Sequence, residues 1–251
     1  MQNTNTHQKA SKELENIIDE FHRDTSAKQR YASYDFCYGY FQTHRHHLVE
    51  NMELSCLHLW SYLASWGMLR GSSKLLQECS MKSLSEVINY IDRLPEKIWN
   101  IDVPDYAYDE VQDKIINIYT DLKKRIADIK FEEDNTSVSP TKTLVTKIML
   151  GTLGSIPAFD NNFVKAFKKE FSNAYQCPKC SRRESAKCAF SDLNRTSLSC
   201  IYCFYFDNKK VLDNIHYPVI GFNGKRLMNL TYKKAKLIDM YGFSIGLRCN
   251  E

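Results

Sequence analysis

Residues 141–167 read TKTLVTKIMLGTLGSIPAFDNNFVKAF. This stretch predicts an apolar helix over about 141–151, a turn at the Gly-Ser-Ile-Pro sequence of residues 154–157, and a second helix over about 161–172. Apolar residues recur at helical spacing on both sides of it. The sequence therefore predicts a mainly α protein made of several packed helices.

The residues before this stretch also predict a series of helices. Leu14, Ile17 and Phe21 repeat at helical spacing, and the next two helices are dense in aromatic residues. A long amphipathic helix follows Pro104. The predicted helices outside 141–172 cover about 9–22, 28–50, 52–66, 84–94, 105–129 and 231–242.

Residues 132–140, EEDNTSVSP, are polar and end in a proline, as expected of a linker. They divide the chain into an N-terminal helical region, 1–131, and a second helical region, 141–251. The second region carries a cysteine-rich insertion at 174–206. We therefore expect multi-helix domains with one inserted metal-binding module.

The composition is that of an ordinary globular protein. The chain has 251 residues, 43% of them hydrophobic and 25% charged, with a net charge of +4. This mild positive charge permits nucleic-acid binding without requiring it. The apolar runs fall short of the roughly 18–20 residues that a membrane span needs. Nine cysteines without an apolar export signal favour a reducing compartment, so we expect a cytoplasmic protein without membrane contact.

Two Cys-x2-Cys pairs lie inside the insertion. Cys177 and Cys180 form the first pair, Cys200 and Cys203 the second, and 19 residues, 181–199, separate them. Two such pairs at this spacing predict a zinc ribbon in which four thiolates hold one structural Zn²⁺ per chain. Cys188 could replace one ligand. The alternative is four unrelated reduced cysteines.

Basic residues cluster around the first cysteine pair. Together with nearby aromatic residues they form the mixture that binds phosphates and stacks on bases, which predicts contact with nucleic acid, DNA in particular. A solvated charged loop is the alternative. The candidate nucleic-acid-binding residues are Lys165, Lys168, Lys169, Lys179, Arg182 and Arg183.

The opening stretch resembles the segment after the hairpin in helix-hairpin-helix DNA glycosylases. Lys142-Thr143, an apolar helix, Pro157 and Asp160 follow one another in that order. The resemblance implies a DNA-binding glycosylase-like fold in which Asp160 stabilises the sugar of a flipped nucleotide while its base leaves. In bifunctional members, a lysine at the position of Lys142 forms a Schiff base. Asp160 could instead be only a helix cap. Residues 136–140 hold none of the glycines of that family's hairpin.

Residues 232–243, YKKAKLIDMYGF, and the Pro-Ala-Phe-Asp sequence at 157–160 also resemble an uncharacterised family of bacterial helical proteins. Three functions stay open at this point. The first is a monofunctional DNA glycosylase, a hydrolase that excises a modified base. The second is a zinc-ribbon module that binds nucleic acid without catalysis. The third is a subunit in which zinc stiffens a contact with a protein partner.

Overall fold

The computed structural model describes residues 2–23, 28–132, 136–171, 175–176, 183–184 and 189–249, with side chains from residue 12 onward except those in the two strands at 175–184. The fold is mainly helical, as the sequence predicts. None of the helices in the described ranges combines the length and the apolar character that a membrane span needs.

The α-helices in chain order are α1 (Gln2–Arg23), α2 (Ala32–Thr43), α3 (Met52–Ser65), α4 (Leu75–Glu78), α5 (Ser85–Asp92), α6 (Glu96–Trp99), α7 (Asp109–Ala127), α8 (Lys142–Thr152), α9 (Asn161–Glu170), α10 (Arg195–Asp207), α11 (Lys209–Leu212) and α12 (Lys234–Arg248). Turns of 3-10 helix lie at Gly71–Ser73, Met81–Leu84 and Val103–Ala107. Two antiparallel pairs of strands complete the fold: β1 (Tyr175–Gln176) with β2 (Arg183–Glu184), and β3 (Pro218–Ile220) with β4 (Arg226–Thr231).

The helix predicted over about 28–50 is shorter in the structure. It begins at Ala32 and ends at Thr43. The chain then turns, because His46 adopts a left-handed backbone conformation with a φ of 67°. The Arg45 and His46 side chains reach Glu96 at 2.8 and 3.0 Å, which holds this turn against α6.

One hydrophobic core joins the two predicted regions. Leu59 and Ile118 from the first region belong to the same buried cluster as Leu150 and Ile238 from the second. Within the predicted linker, Val138 is buried, while residues 133–135 lie outside the described residues. Lys130 and Ser137 form a backbone bridge that closes this connection. Residues 132–140 therefore connect two helices, α7 and α8, that pack against each other within one core.

Helix α12 packs closely on α9. A Cβ atom at Gly246 would lie 2.1 Å from the backbone oxygen of Asn162, and one at Gly242 would lie 2.5 Å from the Phe163 ring. Glycine at these positions lets the α12 backbone touch the first turn of α9. This contact holds the N-terminus of α9 against the C-terminal part of the chain.

Two partly buried charged residues join the middle of the chain to α12. The Asp102 carboxylate accepts hydrogen bonds from the amides of Val103, Lys234 and Ala235, so it caps both a 3-10 turn and the start of α12. The Lys233 ammonium donates to the carbonyls of Trp99, Ile101 and Leu153 at 2.6–3.0 Å. Burial lowers the pKa of Lys233 to about 8, partly opposed by the charge of Asp102.

The second cysteine pair does not form the turn that a zinc ribbon requires. Cys200 and Cys203 lie within helix α10, and Cys200 is completely buried beside Leu198 and Ile201. Apolar residues at helical spacing pack this segment into the core. The prediction of a zinc-ribbon insertion over 174–206 is therefore wrong for the C-terminal part of that range. Cys177, Cys180 and Cys188 lie outside the described residues.

Candidate active site around Asp160

Asp160 is the N-cap residue of α9. Its Oδ1 atom accepts a hydrogen bond from the Phe163 amide at 2.9 Å. Helix α8 fixes the segment just before it: the Phe159 amide donates to Thr146 Oγ1 at 2.8 Å, and the Phe159 carbonyl accepts from Thr143 Oγ1 at 2.9 Å. Asp160 therefore points in a direction set by two neighbouring helices. The capping role that the sequence left open as an alternative is present.

The second oxygen of the Asp160 carboxylate faces a buried lysine. Lys147 Nζ lies 3.1 Å from Asp160 Oδ2, and the two side chains are 1% and 13% exposed. The ammonium also lies 4.0 Å from the centre of the Trp66 ring, a favourable cation–π distance. Because a buried charge needs a partner, Lys147 and Asp160 hold each other in place. Of the two side chains, Asp160 is the one that reaches solvent, through its small exposed fraction.

A second buried ion pair lies on α12. Lys236 Nζ is 3.1 Å from Asp239 Oδ2, with side chains 3% and 2% exposed. Asp239 Oδ1 accepts from the Ala158 amide at 3.0 Å, which ties the segment before Asp160 to α12. Burial lowers the pKa of Lys236, the charge of Asp239 raises it, and the positive charge of Lys147 lowers it further.

Asp35 adds a third carboxylate, from α2. Its Oδ2 atom accepts from the Ile220 amide at 3.2 Å, which joins β3 to α2. Burial raises the pKa of Asp35 to about 6, opposed by hydrogen bonds from Tyr232 and Ile220 and by the charge of Lys236. The Lys236 ammonium lies 4.5 Å from the centre of the neighbouring Tyr34 ring. We call Asp35, Lys147, Asp160, Lys236 and Asp239 the charged cluster.

Aromatic residues surround the charged cluster, and several of the polar atoms here make no hydrogen bond within the described residues. Such atoms are costly when buried, at about 1–3 kcal/mol each, and native proteins keep few of them. Lys147 reaches Asp160 at ion-pair distance but without hydrogen-bond geometry. The atoms concerned are Tyr34 Oη, Asp35 Oδ1, Tyr62 Oη, Trp66 Nε1 and Lys147 Nζ.

Lys142 is occupied elsewhere. Its ammonium donates to the carbonyls of Phe190 and Ser191 at 2.9 and 2.8 Å, where it stabilises the loop before α10. Burial lowers the pKa of Lys142, and the charge of Lys168 lowers it further. The lysine that pairs with Asp160 is Lys147, five residues later in the same helix.

The predicted nucleic-acid residues are only partly described. Lys165, Lys168 and Lys169 lie on α9, opposite its buried Phe163 and Phe167. Lys165 Nζ donates to the Cys249 carbonyl at 2.7 Å. Lys179 and Arg182 lie outside the described residues, and only the backbone of Arg183 is described, in β2.

Searches against protein-family models, curated proteins and solved structures gave no match. The residues that the chain itself brings together are therefore the basis for a functional proposal. Among the described residues, no group of three or more His, Cys, Asp or Glu side chains is placed to hold a metal ion.

Sequence reasoning missed Lys147, Lys236 and Asp239. Each is a charged residue on a helix face that is otherwise apolar: Lys147 is flanked by buried residues throughout α8, and Lys236 and Asp239 stand one turn apart among buried residues of α12. The charged residues of an amphipathic helix normally lie on the face opposite its apolar stripe. A charged residue within the apolar stripe was therefore the signal that could have identified these three residues.

Proposed function

We propose that the protein is a DNA glycosylase-like enzyme in which Asp160 is the catalytic carboxylate. The observation that supports this most strongly is the position of Asp160 at the solvent edge of a buried charged cluster, held there by Lys147 and by the N-terminus of α9. Preorganised charge of this kind is what stabilises charge that develops in a transition state.

In the proposed reaction the bond between C1′ of the sugar and the base nitrogen breaks, and its electron pair leaves with the base, which takes up a proton from solvent. The positive charge that develops on the sugar is stabilised by the Asp160 carboxylate. Water then forms the new bond to C1′, and its proton passes to Asp160 and on to solvent. Lys147 is a positioning residue, because it orients Asp160 without facing the solvent itself (1% exposed).

We propose that the flipped base interacts with the polar atoms that are buried near the cluster. Trp66 Nε1 can donate and the Tyr62 and Tyr34 hydroxyls can donate or accept. Burial raises the pKa of both tyrosines, so they stay neutral near pH 7. Hydrogen bonds and aromatic rings are the groups that read a flipped base.

We also propose that the chain holds one structural Zn²⁺, with Cys177, Cys180, Cys200 and Cys203 as its ligands. The first cysteine pair lies in the sequence between β1 and β2, which pair antiparallel, while residues 177–182 lie outside the described residues. The cysteines of the second pair are three positions apart on α10, which puts both side chains on the same face of the helix.

A second candidate function is a zinc-dependent nucleic-acid-binding module without catalysis. The favouring observation is that Lys165, Lys168 and Lys169 stand at spacings of three and four on α9, just before the β1–β2 hairpin. Replacing Lys168 and Lys169 by Gln should then reduce the log–log slope of DNA affinity against salt by roughly 0.9 for each phosphate that the variant no longer neutralises.

The experiment that separates the two functions is the Asp160→Asn variant. Asn caps a helix about as well as Asp, but it leaves the buried Lys147 ammonium without its partner, so the melting temperature should fall and base release is compared at a temperature at which the variant is folded. Release of bases from duplexes carrying modified or mismatched bases should fall at least about 100-fold. Asp113→Asn, which changes an exposed carboxylate on α7, is the matched control. Wild-type protein that releases no base while it still binds DNA would favour the binding module.

A further inference from the structure

A cavity of about 360 Å³ lies between α2, α3 and the turn that joins β3 to β4. Its size suits a small organic ring system. Helix α2 contributes Ser33 and Phe36, and the turn contributes Phe222. Helix α3 contributes His58, Ser61 and Tyr62, among others. Tyr62 also belongs to the aromatic surroundings of the charged cluster, but the cavity itself opens on the α2–α3 side.

Two phenylalanine rings form one wall of the cavity. The centroids of Phe36 and Phe222 are 5.5 Å apart, and their planes are inclined at 60°. Phe222 is 88% exposed, a costly position for a large apolar side chain. The turn holds it there: the Gly221 amide donates to the Lys225 carbonyl at 2.8 Å, and Asp35 anchors the preceding strand to α2. An aromatic ring fixed beside an open cavity is able to stack on a flat ligand.

The polar groups of the cavity are uncharged. No Lys, Arg, Asp or Glu lines it among the described residues. Burial lowers the pKa of His58, and the charge of His44 lowers it further, so the imidazole is neutral near pH 7. A charged ligand would find no counter-charge here, which disfavours phosphates and acidic or basic peptides.

Neutral His58 and the serine hydroxyls offer both kinds of hydrogen bond. One ring nitrogen of His58 hydrogen-bonds to the Phe36 backbone, so the other can accept a hydrogen bond from a ligand. Ser65 Oγ lies 2.6 Å from Ser33 Oγ, and its one proton can go to Ser33 or to the Tyr62 carbonyl at 2.8 Å, so the Ser33 hydroxyl can donate or accept a further hydrogen bond.

We propose that this cavity binds a neutral nitrogen heterocycle, a flat ring that carries both a hydrogen-bond donor and an acceptor on one edge. Flatness matches the Phe36 and Phe222 rings, neutrality matches the uncharged lining, and the mixed edge matches His58 and Ser33. A hydrocarbon ring or an acyl chain would leave the histidine and the hydroxyls without partners. The site does not depend on Asp160, and it shares with the proposed base excision only the side chain of Tyr62, whose hydroxyl is buried.

The test measures the affinity of the full chain for adenine, uracil and nicotinamide by calorimetry, with toluene as a flat hydrocarbon. Phe222→Ala should weaken heterocycle binding at least about five-fold, the effect expected for removing one stacking ring. Met228→Ala is the matched control, since Met228 is 89% exposed on β4 and does not line the cavity. Both residues are on the surface, so both variants should fold.

His58→Phe keeps a ring at position 58 but removes the acceptor, and it should bring the affinity for the heterocycles down to that for toluene. Asp160→Asn should leave heterocycle affinity unchanged, which separates this site from the proposed catalysis. The proposal is overturned if none of the three heterocycles binds more tightly than toluene. It is also overturned if Phe222→Ala and Met228→Ala have the same effect.

Discussion

The carboxylate of Asp239 accepts a hydrogen bond from the backbone amide of Ala158 at 3.0 Å, so that a residue of the last described helix fixes the chain two positions before Asp160. Asp239 is itself paired with Lys236 at 3.1 Å. The orientation of Asp160 therefore depends on groups from both ends of the second half of the chain.

Lys147→Met should destabilise the protein strongly. It removes the partner of Asp160 while keeping side-chain length, and loss of one member of a buried pair costs about 3–5 kcal/mol. Lys123→Met is the matched control, because its pair with Asp192 is 39% and 47% exposed and should contribute less than about 1 kcal/mol. Urea unfolding measures both. Addition of Asp160→Asn to Lys147→Met should recover part of the stability, and equal effects of the two lysine variants would contradict a buried pair.

Lys142→Gln should reduce stability with little effect on base release. Its ammonium donates to two carbonyls of the loop before α10, and removal of these hydrogen bonds should cost about 1 kcal/mol in this half-buried position. Chemical denaturation and base-release rates should be measured on the same preparation. Loss of base release without loss of stability would restore Lys142 as a reactive amine.

Because of Asp35, the free energy of unfolding should fall as pH rises from about 4 to 6. Burial raises its pKa from 3.8 to about 6, so in this range the folded state binds more protons than the unfolded chain. The stabilisation is complete below the unfolded pKa and is lost as pH passes the folded value. The difference corresponds to about 3 kcal/mol.

Asp35→Asn should remove this component. The free energy of unfolding of the variant minus that of wild type should therefore increase by about 2.4 kcal/mol between pH 4 and pH 7. Asp207→Asn, at an exposed position on α10, should keep the wild-type profile. Parallel profiles for wild type and Asp35→Asn would show that Asp35 titrates normally.

Gly246→Ala should weaken the packing of α12 on α9. The added Cβ would overlap backbone atoms of Asn162, which cannot rotate away as a side chain could. Overpacking costs about 1–3 kcal/mol, more than the roughly 1 kcal/mol that alanine contributes through helix propensity. Leu247→Ala, at a 45% exposed neighbouring position, is the control. A thermal melt in which Gly246→Ala equals or exceeds wild type would refute the close contact.

Purified protein should contain about one zinc per chain by elemental analysis. Cys177→Ser and Cys203→Ser should lose the metal and destabilise the chain, because metal binding of this kind contributes to folding. Cys79→Ser, at a partly exposed position outside the module, should keep it. Full zinc content in a Cys177→Ser, Cys200→Ser double variant would rule out this ligand set.

The helices were predictable where apolar spacing is regular. The prediction for about 141–151 became α8, and the Gly-Ser-Ile-Pro turn begins at Gly154, whose φ of 62° ends the helix. Asp160 was correctly expected at the start of the next helix. These features follow from local preferences, which a few neighbouring residues determine.

The charged cluster was not predictable in the same way. A lysine in a helix usually faces water, and Lys147 and Lys236 are buried only because α8 packs on α2 and α3 while α12 packs on α1 and α9. The helix that contains the second cysteine pair was missed for a related reason. The Cys-x2-Cys spacing predicted a turn, although the helical spacing of Leu198, Ile201 and Phe204 indicates a helix that packs into the core.

The members of the charged cluster come from distant parts of the chain. The first is residue 35 on α2 and the last is residue 239 on α12. Contacts between such distant segments form late in folding, because long loops must close before the contacts can stabilise them. Until α12 docks, the amide of Ala158 has no carboxylate of Asp239 to bind. A growing chain on the ribosome therefore lacks the contact that fixes the segment before Asp160 until the helix at 234–248 has emerged.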